Sequence, residues 1–120
     1  MSARSGQAYI FNALAVRDTN PATGNANVTV SVNGTQRVLV INNSLNQAGN
    51  YQVQYSYDGG TTFTNLGTSQ ALSANSGLSF VTQIGASAVQ PLNGIFKITY
   101  TASVAPASGS LTMALQSLYI

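Results

Sequence analysis

The sequence predicts an all-β fold: a single-domain antiparallel β-sandwich or jelly roll of about eight strands. Three observations carry this expectation. Apolar and polar residues alternate in many short segments, as in Val28–Val32, Tyr51–Tyr57 and Phe96–Thr101, which is the period of a half-buried strand. Clusters of Gly, Pro, Asn and Ser punctuate those segments at regular spacing. No stretch carries the apolar period of an amphipathic helix. A chain of 120 residues suits one domain, and a domain of this size buries about two-thirds of its unfolded surface. The expected division is an arm or connector over residues 1–7 and a sandwich over residues 8–120.

Taken in order, MSARSGQ is small and polar, and Tyr9–Val16 (YIFNALAV) is apolar and strand-like, with a short helix as the alternative. RDTNPATGNAN follows as a loop, because Pro21 and Gly24 interrupt regular structure. Val28, Val30 and Val32 then mark a strand that runs into Asn33-Gly34, the dipeptide favoured in type I′ hairpin turns, where both central residues need positive φ. The return strand QRVLVIN has four consecutive apolar residues, Val38–Ile41, and belongs in the middle of a sheet. A second loop, NSLNQAGN, leads to a hairpin over residues 51–66. Short strands near residues 69–72 and 78–84 flank a turn at Asn75–Gly77, and a loop with Pro91 precedes the strand Ile95–Ala102. After a turn at Pro106–Ser110, Leu111, Met113 and Leu115 mark the last strand.

Charge is the unusual property. Charged residues make up 5% of the chain, against about 25% in an average globular protein. The polar surface must therefore be built from Asn, Gln, Ser and Thr, which repel other copies weakly. Arg4, Arg17, Arg37 and Lys97 are scattered, so no cluster exists to displace counterions, which argues against nucleic acid as a partner. No apolar run is long enough for a membrane helix, so no membrane is expected either. Near the N-terminus, Arg4, AYIF and Ala13-Leu14-Ala15 imitate a signal peptide, but the apolar stretch is short and Asn12 breaks it, so no classical leader is expected. With no cysteine, disulfides, thiolate metal sites and thiol chemistry are out of reach.

Catalysis finds little to work with. The chain has no His and no Glu, and its two acids, Asp18 and Asp58, fall in different loops. A glycosidase pair needs two carboxylates across one bond, a serine nucleophile needs a base, and Lys97 reads as a solvated mid-strand amine. Two acids with carbonyls would make at most a weak calcium site. The expectation is no enzyme, no metal and no cofactor. Phe11, Tyr55, Phe63, Phe96 and Tyr100 fall on apolar faces and read as core. An exposed tyrosine such as Tyr57 or Tyr119 would be needed for a carbohydrate-binding module. The Asn-x-Ser/Thr sequons at Asn27, Asn33 and Asn42 are what an Asn- and Thr-rich chain yields by chance.

Within the hairpin, Ser56, Asp58, Gly60, Thr62 and Phe63 stand in the spacing Ser-x-Asp-x-Gly-x-Thr-aromatic, which resembles the Asp box known from sialidase propellers. The resemblance implies a structural turn. A carboxylate accepts backbone N–H groups, glycine supplies positive φ and the aromatic packs beneath. A single copy does not make a propeller, which repeats its unit several times.

What remains is self-association. Few charges and apolar terminal strands suit β-augmentation, in which a terminal strand of one subunit adds to the sheet of the next. Such a heterologous contact does not close, so it builds a filament. Tyr9, Ile10, Phe11, Leu14 and Val16 are the candidate assembly residues, with Ile10, Leu14 and Val16 as docking side chains; pairing of this segment within its own sandwich is the alternative. In layout, from the polar arm to the late ITYTASVAPASGSLTMAL, the chain resembles the small jelly-roll proteins of spore-forming bacteria that include endospore appendage pilins. That resemblance implies a homopolymeric fibre subunit, extracellular or on a cell or spore surface, with MSARSGQ as connector and YIFNALAV as docking strand. Those pilins cross-link through connector cysteines, which this chain lacks, so strand pairing and packing alone would hold it. The alternatives are a phage or virus structural protein, decorating a capsid or associated with a tail, and a carbohydrate-binding module. Partners would then be a capsid or a surface glycan.

Overall fold

A computed structural model describes residues 5–28, 35–81 and 94–119. Nine strands are present among these residues: β1 (Ser5–Leu14), β2 (Ala22–Val28), β3 (Thr35–Asn43), β4 (Gly49–Ser56), β5 (Thr64–Asn65), β6 (Gln70–Leu72), β7 (Gly77–Val81), β8 (Gly94–Ala102) and β9 (Leu111–Tyr119). They form two antiparallel sheets. Sheet I has the order β1-β9-β3-β7, and sheet II has β2-β8-β4, with β5 and β6 following one another along the free side of β4. Counting β5 and β6 as one interrupted strand gives eight positions. Consecutive positions alternate between the sheets except β4 and β5/β6, which neighbour each other in sheet II, and this is the winding of a jelly roll.

The core lies between the sheets and follows from the strand alternation. Leu39 and Ile41 on β3 and Leu111, Met113 and Leu115 on β9 face Tyr51 and Val53 on β4 and Phe96, Ile98 and Tyr100 on β8; all are buried. Tyr55 and Phe96 meet as a tilted ring pair 5.3 Å between centroids. β3 lies inside sheet I, paired on both sides, as its continuous apolar run requires.

Two local findings differ from the sequence expectation. Ala22–Val28, part of the expected loop, is a strand paired along its length with β8. Its glycine marks a close approach and not a turn, since a β-carbon on Gly24 would overlap the Ile10 carbonyl oxygen across the gap between the sheets. The first strand also starts at Ser5, inside the expected arm, with Ser5–Tyr9 in unbroken register against Leu118–Ala114. Asn33-Gly34 lies outside the described residues. The segments on either side of it enter different sheets, with Val28 opposite Gly94 and Leu39 between Leu115 and Val81.

β1 is irregular beyond Tyr9. Tyr9 stands opposite Ala114 and Phe11 opposite Met113, so Ile10 is an extra residue, and the bulge turns both Ile10 and Phe11 into the core. A second irregularity before Leu14 holds Ala13 at φ 53°, a left-handed conformation that costs an L-residue about 1–2 kcal/mol. The Ala13 N–H donates to Thr112 Oγ1 at 3.0 Å.

Candidate functional site

The Asp58 turn is a closed hydrogen-bond system. The buried Ser56 hydroxyl donates to Asp58 Oδ1 at 2.8 Å and accepts from the N–H groups of Gly60 (2.8 Å) and Asp58 (3.4 Å). The same carboxylate oxygen accepts from the N–H groups of Thr62 (2.9 Å) and Thr61 (3.2 Å). The Thr62 N–H and then the Ser56 hydroxyl hold the Asp58 carboxyl below its ordinary pKa. Gly59 and Gly60, at φ 77° and 95°, supply the left-handed steps that bring these donors round. A carboxylate so engaged is a fastener, poorly suited to proton transfer.

Phe63 does not enter the core cluster. It lies half-buried, with the Lys97 ammonium 4.7 Å from its ring centroid. The other aromatic residues expected in the core lie there: Phe11, Phe96 and Tyr100 are buried and Tyr55 packs against them. Lys97 thus leans on an aromatic face instead of standing free in solvent, an arrangement worth about 0.5–1 kcal/mol at an exposed site.

The structure divides the residues proposed for assembly. Ile10, Phe11 and Val16 are buried in their own core, and Leu14 packs against it. β1 pairs with β9 of the same chain. These side chains are therefore committed within the subunit, because the bulge at Ile10 and the irregularity before Leu14 direct them inward. Tyr9 is the exception, at 48% exposure.

Tyr9 belongs to a row that periodicity could not assemble. Across the outside of sheet I, Tyr9 pairs with Ala114, Ala114 with Val40 and Val40 with Phe80. Leu78 stands beside this row, and Leu78 and Phe80 are 60% and 63% exposed. The neighbouring outward positions are Asn42, Thr112 and Gln116, so none of these outward residues carries a charge.

The outside of sheet II is polar. One row across it reads Asn25, Lys97, Gln54, Asn65, and the next Thr23, Thr99, Gln52. Gln54 Nε2 donates to Asn65 Oδ1 (3.0 Å), and Gln52 Nε2 donates to the carbonyls of Val53 (2.9 Å) and Gly67 (3.3 Å). The Thr23 and Thr99 hydroxyls lie 3.3 Å apart. The alternation in each strand signalled these polar positions; their juxtaposition came from strand order.

The remaining polar cluster is structural. Buried Asn43 donates to the Ser73 carbonyl (2.9 Å) and the Ser76 hydroxyl (3.2 Å) and accepts from the Leu45 N–H (3.1 Å), pinning two loops at one end of the sandwich. Arg17 donates to the carbonyls of Val16 and Gly109, each at 2.9 Å. Among the described residues no three His, Cys, Asp or Glu side chains gather where a metal ion would need them, and no helix is long and apolar enough to cross a membrane. Compared with protein-family models and with curated proteins, the chain finds no match.

Proposed function

We propose that this protein is a non-enzymatic structural subunit that polymerises through its sheet edges into an extracellular or spore-surface filament, as its resemblance to endospore appendage pilins suggests. The observation that carries the reading is the pair of edges of sheet I. Among the described residues β7 ends the sheet, with an unbroken register over Gly77–Val81 and with Leu78 and Phe80 exposed on its outer face. Among the described residues β1 ends the other side, and its regular part is Ser5–Tyr9. The two stretches match in length. Addition of β1 of one copy to β7 of the next continues sheet I from subunit to subunit and leaves each core intact. The contact joins two different edges, so it is heterologous and grows without closing. The shortage of charge removes the usual protection of such edges.

In this form the assembly residues shift towards the N-terminal part of β1. Ser5–Tyr9 supplies the backbone edge and Tyr9 an exposed ring, while Ile10, Phe11, Leu14 and Val16 hold the strand in its own subunit.

Negative-stain electron microscopy of the purified chain tests the reading. Filaments of uniform width are expected, and Phe80→Lys should abolish them while leaving the circular dichroism spectrum unchanged. Monomers alone at high concentration would remove the proposal, and assembly only on an added capsid or tail would favour the virion alternative.

A further inference from the structure

The polar face of sheet II asks for a ligand of its own. Gln52 and Gln54 are held by their own side-chain hydrogen bonds, so their amide planes are fixed before any ligand arrives. That leaves Gln52 Oε1, Gln54 Oε1 and Asn65 Nδ2 without described partners, presented as a mixed set of acceptors and a donor. Lys97 is the one charged side chain in these rows. Its described contact is the Phe63 ring, and no carboxylate among the described residues pairs with it.

We propose that this face binds an acidic polysaccharide, a glycan chain bearing uronic-acid carboxylates. Sugar hydroxyls both donate and accept, which suits fixed amides, and ordering those amides costs nothing further on binding. A carboxylate on the chain answers the uncompensated ammonium of Lys97 with a charge-assisted bond. Nucleic acid fits badly, because one cation neutralises too few phosphates. An apolar peptide fits badly too, since the rows present amides, hydroxyls and one ammonium to its side chains. The inference is independent of the assembly reading, because the face lies on the sheet that does not supply the β1 and β7 edges.

Isothermal titration of the full chain with hexagalacturonate, and with maltohexaose as a neutral probe of equal length, tests it. Saturable binding of the acidic hexamer is expected, tighter than the neutral one by about fivefold or more. Lys97→Gln and Asn25→Asp should each weaken the acidic hexamer by about that factor, the first by removing the cation and the second by compensating it. Gln54→Ala should weaken both probes. Asn25 is exposed, so the second variant keeps the test open if loss of the Lys97–Phe63 contact unfolds the first. No binding, equal affinity for both hexamers, or indifference to Asn25→Asp would overturn the proposal.

Discussion

Gly24 on β2 and Ile10 on β1 are in backbone contact across the two sheets: a β-carbon at position 24 would overlap the Ile10 carbonyl oxygen and come within 2.9 Å of its Cγ2. This contact closes the sandwich along the β1–β2 side. Gly24→Ala must push the strands apart and should destabilise the fold by about 1–3 kcal/mol, read as a lower midpoint in urea. A neutral result would mean that this side of the sandwich is loose.

Leu45 sits in a loop, yet its side chain is 0% exposed and belongs to the core. Its N–H donates to Asn43 Oδ1, and its carbonyl accepts from the Asn75 N–H at 2.8 Å. Leu45→Ala should cost about 2–5 kcal/mol, as at any buried leucine. Chemical denaturation checks this against the exposed loop substitution Val104→Ala, which should stay within about 0.5 kcal/mol of the parent.

The Asp58 turn should weaken in acid. The carboxyl has a lowered folded pKa, so its stabilisation is fully present above the unfolded value of about 3.9 and is lost as pH falls through the lower folded value. Asp58→Ala should therefore melt below the parent at neutral pH, with the gap closing in stronger acid. Parallel melting curves across that pH range would show that the carboxylate bonds add no stability.

Tyr100 carries the opposite lesson. Its hydroxyl is buried without a hydrogen-bond partner among the described residues, and burial raises its pKa. An unsatisfied buried group costs about 1–3 kcal/mol. Tyr100→Phe should thus be neutral or stabilising by about 1 kcal/mol, measured by thermal unfolding. A clear loss would point to a water bridge at the hydroxyl.

The outer face of sheet I should behave as a surface and not as core. Leu78→Ser with Phe80→Ser is expected to change monomer stability by about 0.5 kcal/mol or less per site while reducing self-association in analytical ultracentrifugation. Unfolding of the double variant would instead make these residues part of the fold.

The sequence by itself determined the secondary structure class and most of the core. The alternation at Val53/Tyr55 and Phe96/Ile98/Tyr100 reports burial one strand at a time, and the run Val38–Ile41 announces an interior strand. Composition likewise left a surface of amides and hydroxyls with few charges. The tertiary structure decided everything that depends on which strands become neighbours. Tyr9, Val40, Phe80 and Ala114 are far apart in the chain, and only strand order lines them up on one face. The same holds for Asn25, Lys97, Gln54 and Asn65 on the other sheet. Gly24 reads in sequence as a breaker within a loop, because a glycine that permits close approach and one that interrupts a strand look identical there. Phe63 lies outside the core because alternation ends where the strand does, and beyond that point an aromatic ring settles on whatever surface the turn presents, here the Lys97 ammonium.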